Sequence, residues 1–163
     1  MRLNFPKGKL QALTSSLIGL HFTYGWGFKI IPITLQAPEI EGTNPDTGAT
    51  GREIDCSGFS RWTIWHAAGM LLPDGSMEQH QWAEANLKLV SVSDGHKTDG
   101  VIRIAFLRPT IVNGVQVEAG HVMLIENNTV YESHGHHGVD NSRLWGSMPF
   151  MSACEVYELA TTG

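Results

Sequence analysis

With 163 residues, 42% of them hydrophobic, the chain is long enough for one domain that buries roughly two-thirds of its unfolded surface. Its net charge of −5 supplies no attraction for nucleic acid or an anionic membrane, and no apolar run approaches the roughly 20 residues of a membrane span. Two cysteines, Cys56 and Cys154, do not make a disulfide scaffold, and one bridge between them would consume a thiol with a better use.

Arg2, Lys7 and Lys9 precede Leu17-Ile18-Gly19-Leu20, which His21, Thr23 and Gly25 soon break, so the start of the chain makes a poor signal peptide. Leu10, Leu13, Leu17 and Ile18 recur at helical spacing, and Gly19 is the expected stop. Residues 28–36 read as extended, with Pro32 favouring an edge or irregular segment, and residues 37–51 read as a loop. A second helix begins at Asp55-Cys56-Ser57, two cap-type residues around a cysteine, and runs through Phe59, Trp62, Ile64, Trp65 and Ala68 to Gly69. Leu72-Pro73-Asp74-Gly75 is a turn. Ser76 then opens a third helix with Gln79 completing a capping box and Trp82, Ala85 and Leu89 as its buried face. Trp62, Trp65 and Trp82 are expected in the core.

After Asp94-Gly95 the period changes from helix to strand. Val101 to Leu107 is one strand. Thr110–Val112 and Val115–Val117 flank Asn113-Gly114, the strongest short hairpin signal. Gly120–Glu126 and Thr129–His134 flank Asn127-Asn128, and a last strand is expected over Ala153–Leu159. No repeat or linker divides the chain, so the expectation is a single α+β domain over residues 1–163.

The chemistry-bearing feature is Cys56. A helix N-terminus favours negative charge, so a thiol placed there ionises more readily, and the thiolate is the nucleophile. His121, on the strand expected at Gly120–Glu126, is the candidate base. If Asn127 and Asn128 form the turn, Glu126 pairs with Thr129 and His121 falls opposite His134, with Glu132 as its diagonal neighbour on the same face. The hairpin thus offers His121 two orienting partners, an acid and an imidazole. A nucleophile, a base and a third group that fixes the base are what activated-nucleophile catalysis needs, and helix N–H groups can receive an oxyanion.

Asp55-Cys56-Ser57-Gly58-Phe59 followed by Gly120-His121-Val122 resembles the NlpC-type (NlpC/p-sixty) cell-wall cysteine peptidases, distant relatives of papain. Leu20-His21-Phe22-Thr23-Tyr24-Gly25-Trp26-Gly27 is similar to the upstream segment whose tyrosine reaches the active site, and Leu71-Leu72-Pro73 with Gln79 to the segment after the nucleophile helix. The resemblance covers residues 10 to 145. It implies a papain-like α+β fold in which N-terminal helices, the nucleophile helix among them, pack on a central antiparallel sheet. It also implies hydrolysis of amide bonds in peptidoglycan stem peptides through a thioester, with Cys56 as nucleophile and His121 as base. Tyr24, Asp55, Ser57 and His134 are the candidate substrate-binding residues. Asp74 stands where a basic residue is common, and Asp99-Gly100 reverses a Gly-Asp pair. The third polar group, commonly His, Asn or Gln, is here Glu132, which looks more like the CHAP-type amidases; Glu132 is favoured over His134 because a carboxylate stabilises an imidazolium well.

Two other readings stand beside this one. The same architecture serves amidases and acyltransferases on substrates outside the wall. The cluster His134-Gly135-His136-His137 with Asp140, joined by His121, offers metal donors, but its spacing matches no zinc signature and a solvated turn is the default. The expectation is therefore no metal and no cofactor, a peptidoglycan peptide as partner, and no nucleic acid or membrane span. Action at the cell wall would follow delivery by a phage or a secretion system; without delivery the protein would stay in the cytoplasm.

Overall fold

A computed structural model describes residues 1–25, 42–43, 50–118 and 120–163. The expected extended segment at 28–36, Trp26 and Gly27, and residues 37–41 and 44–49 of the expected 37–51 loop lie outside the described residues, while 42–43 and 50–51 of that loop pair as two short antiparallel strands. In chain order the elements are β1 (Leu3–Phe5), α1 (Lys9–Gly19), β2 (Gly42–Thr43), β3 (Thr50–Gly51), α2 (Cys56–Ala68), α3 (Ser76–Asn86) and β4 (Lys88–Val90). They continue with β5 (Val101–Leu107), β6 (Thr110–Val112), β7 (Val115–Glu118), β8 (His121–Glu126), β9 (Thr129–His134), β10 (Gly138–Asp140) and β11 (Glu155–Thr162).

The centre is a seven-stranded sheet in the order β1-β11-β5-β8-β9-β10, with β4 also on β11. All its pairings are antiparallel except β1 on β11. Period-two alternation sorts its side chains into two cores. Ile102, Ile104 and Phe106 of β5 and Val122 and Leu124 of β8 join Phe59, Trp62 and Ile64 of α2 and Leu10 and Leu17 of α1. Ala105, Met123, Ile125 and Val130 pack on the other side with Trp145, Met148 and Val156. Each large apolar side chain removed from water contributes about 1.5–3 kcal/mol.

Both hairpin turns follow from their asparagines. Asn113 and Gly114 have φ 50° and 77°, and Asn127 and Asn128 have φ 52° and 64°, the paired left-handed conformations that match the twist of the flanking strands. The second turn sets β8 on β9 with Glu126 opposite Thr129, Ile125 opposite Val130 and Leu124 opposite Tyr131, the register expected from sequence.

Other expectations need correction. Strands β1, β4 and β10 were not anticipated; each has only three residues, too few to display a period. Leu89 belongs to β4 and is 58% exposed, so it is not part of the buried face of α3. That face is Gln79, His80 and Ala83. Ser76 does not cap α3: Gly75 precedes the helix with no side-chain cap bond, and Gln79 turns inward. Trp62 is buried as expected, whereas Trp65 and Trp82 are only partly so. The last strand begins two residues late and runs on to Thr162.

Candidate active site

Cys56 is the first residue of α2, and three residues, Asp55, Ser133 and Gln79, fix the backbone around it. Asp55 caps the helix, its Oδ1 accepting from the Gly58 N–H at 2.8 Å and from Ser57 Oγ at 3.3 Å. Ser133 Oγ of β9 donates to the Ile54 carbonyl at 2.7 Å, fixing the approach to the helix against the sheet. Gln79, fully buried on α3, donates Nε2 to the carbonyls of Ser57 (2.9 Å) and Pro73 (3.0 Å) and accepts from Ser60 Oγ at 2.6 Å. At the far end Gly69, at φ 70°, closes α2 with its N–H on Trp65 O. The Cys56 thiol is free, as is Cys154, which burial pushes up to about 11.

His121 opens β8 opposite Leu107 of β5. Its Nε2 lies 2.7 Å from Oε1 of Glu132, the diagonal neighbour, and Cys56 is near enough to shift its titration. The ring of Phe150 stands edge-on to it, centroids 6.1 Å apart. Burial alone would lower the imidazole's pKa, but hydrogen bonds and charge at Cys56 and Glu132 outweigh it and raise the value to about 9. Glu132 is fully buried, and burial pushes its carboxyl up. The hydrogen bonds from His121 and Arg143 win, holding it below its ordinary value. Arg143 had not been singled out from sequence. It grips both carboxylate oxygens, Nε to Oε2 at 2.7 Å and Nη2 to Oε1 at 2.6 Å.

The other candidates divide between two cavities that meet at Gly120. One, of about 230 Å³, brings Tyr24, Asp55, Cys56 and Ser57 together with Glu78 and Gln116. Burial and the nearby Cys56 and Asp55 push the Tyr24 phenol well above its usual range, with a hydrogen bond to Cys56 contributing. The second, of about 300 Å³, is lined by His121, His134, Arg143 and Phe150. A Cβ at Gly120 would come within 2.9 Å of the Leu107 carbonyl, so glycine lets the chain pass this junction. His134 does not partner His121: its Nε2 pairs with Asp140 at 2.8 Å, and its ring stacks on His137 at 4.6 Å.

The cluster weighed as a metal site is partly assembled. Donor atoms of Glu132, His134 and Asp140 lie within 4.8 Å of one another. Yet Glu132 is committed to Arg143 and His121, and His134 to Asp140, and a guanidinium at the same carboxylate opposes a second cation. No helix among the described residues is long and apolar enough to cross a membrane.

No protein-family model matches this sequence, and no curated protein matches it. The fold, however, is similar to a solved structure, that of a lipoprotein-like protein of the NLP/P60 family from Staphylococcus aureus. The two share 18% identity at a TM-score of 0.52 over 98% of this chain and 44% of that one, so this chain spans less than half that protein's length. At that identity the likeness is one of fold: among the described residues, three α-helices and a central, mostly antiparallel sheet of NLP/P60 type.

Proposed function

We propose that this chain is a cysteine hydrolase of the NLP/P60 type that cleaves amide bonds in peptidoglycan stem peptides. The observation that carries the reading is the 2.7 Å pairing of His121 with the buried carboxylate of Glu132, close to a thiol at a capped helix N-terminus. The fold likeness to an NLP/P60 protein supports the substrate class.

On this reading His121 takes the Cys56 proton, and the thiolate attacks the scissile carbonyl carbon. The charge moves to the carbonyl oxygen, where the N–H groups at the start of α2 ahead of Gly58, whose own N–H is held by Asp55, can donate to it. Imidazolium His121 passes its proton to the leaving amine as the C–N bond breaks, leaving a thioester at Cys56. Water, deprotonated by His121, then attacks the thioester and releases the carboxylic acid and the thiol. Glu132 holds the imidazole in orientation and stabilises its charged form. Tyr24, Asp55, Ser57 and His134 line the cavities on the two sides of this centre and serve as substrate contacts. The site of action is the bacterial wall, reached with the help of a phage or secretion apparatus.

Purified peptidoglycan fragments incubated with wild type and with Cys56→Ala, followed by mass spectrometry of the products, test the reading. New stem-peptide fragments are expected from wild type alone, with Cys56→Ala slower by at least about a thousand-fold. Cys56→Ala protein of full activity would overturn the mechanism. Fragments left intact by a wild type whose Cys56 still alkylates would move the substrate to another amide or ester.

A further inference from the structure

We infer that Arg143 is a positioning residue for the catalytic pair, keeping Glu132 anionic and its carboxylate fixed toward His121. The inference rests on Cys56 and His121 acting as an ion pair, and not on peptidoglycan being the substrate.

The argument begins with two acids placed against each other. Glu132 of β9 and Asp140 of β10 are directly paired across the strands, an arrangement in which like charges destabilise. Glu132 is also fully buried, where an unpartnered carboxylate takes up a proton. A protonated Glu132 would be a poor stabiliser of imidazolium His121. The fold gives each acid its own cation or donor: Asp140 has His134 at 2.8 Å, and Glu132 has the Arg143 fork on both oxygens. A two-point grip fixes the carboxylate plane as well as its charge, leaving Oε1 aimed at His121 Nε2 at 2.7 Å.

Arg143 is itself held for this task. Asp140 Oδ1 accepts from the Ser142 N–H at 2.9 Å, turning the chain after β10, and the Arg143 carbonyl accepts from Val130 N on β9 at 2.9 Å. The guanidinium is therefore delivered to the strand that carries its target by a side-chain-closed turn and one backbone bond. The titratable and charged groups around the pair are His121 from β8, His134 from β9, Asp140 from β10, and Cys56 with Asp55 from the start of α2; Tyr24 stands beside Cys56. Arg143 is the permanent cation among these.

The test reads Cys56 directly. Alkylation of wild type, Arg143→Gln, Arg143→Lys and Glu132→Gln by iodoacetamide is followed from pH 4 to 10, with peptide mass spectrometry separating Cys56 from Cys154. Removing the cation should move the acid limb of the Arg143→Gln profile up by roughly one pH unit. Arg143→Lys keeps the charge but loses the fork, so its limb should stay near wild type while the maximal rate falls. In the Glu132→Gln background, adding Arg143→Gln should change nothing further, because the arginine acts through the carboxylate. A lower rate or melting temperature with an unmoved limb would reduce Arg143 to a structural tie and overturn the inference. An equal additional loss in the Glu132→Gln background would do the same. If Arg143→Gln does not fold, the Arg143→Lys profile decides alone: an unchanged maximal rate refutes the two-point grip. Alkylation profiles that shift while peptidoglycan stays uncut would sustain this inference and defeat the substrate reading.

Discussion

At the scale of single residues, His121 is under two opposed pressures, and their outcome sets a pH dependence. Burial favours the neutral ring, while Cys56 and Glu132 favour the charged one and win, at about 9 against an ordinary 6.5. A group whose folded pKa lies above its unfolded value adds stability that is complete below the unfolded value and lost as pH rises through the folded one. Wild type should therefore be more stable than His121→Gln at pH 6, and the gap should close between about pH 6.5 and 9. Thermal unfolding of both proteins across that window checks it; a gap that stays constant would show that the contribution of His121 does not depend on its charge. The partner of His121 was legible in advance because strand period and a two-residue turn define which side chains share a face. Arg143 was not, since it follows β10 in a segment with no period, and only the burial of Glu132 creates the need for a cation there.

At the scale of elements, Gln79 shows how one side chain can tie two helices. The spacing from Ser76 to Gln79 has the form of a capping box, and α3 does begin at Ser76. The glutamine nevertheless faces α2, because the carbonyls of Ser57 and Pro73 and the hydroxyl of Ser60 converge there in a buried space. Local pattern could place the helix start but not the direction of the side chain. Replacing Gln79 by Leu leaves those carbonyls without a donor, which should cost roughly 2 kcal/mol or more. Urea unfolding should show a lower midpoint with unchanged slope. A stability equal to wild type would mean that water or a neighbour supplies the missing bonds. The substitution should also slow Cys56 alkylation, since Ser57 belongs to the turn that presents the thiol.

At the scale of the whole molecule, the two chain ends lie side by side. β1 runs parallel to the last residues of β11, pairing Leu3 with Ala160 and Phe5 with Thr162, and the Gly163 N–H reaches the Phe5 carbonyl at 3.2 Å. Phe5 is fully buried in the core shared by α1 and α2. Phe5→Ala should cost about 3 kcal/mol or more and lower the melting temperature by roughly 6 °C or more. A drop of only a degree or two would show that β1 is an ornament on the sheet edge. Three residues give no sequence period, so this strand's contribution emerges only when the sheet is assembled.

Taken alone, the sequence determined the elements whose signals are local. These are the capped helix starting at Cys56 and ending before Gly69, the two asparagine hairpins, and the register that puts His121 and Glu132 on one face. Each depends on backbone preferences acting over a few residues. Tertiary structure decided what depends on burial and on distant approach. It gave His134 to Asp140, turned Gln79 inward, closed the sheet with three short strands, and brought Arg143 onto Glu132. A buried charge must find its partner wherever the folded chain offers one, and no local spacing records where that will be.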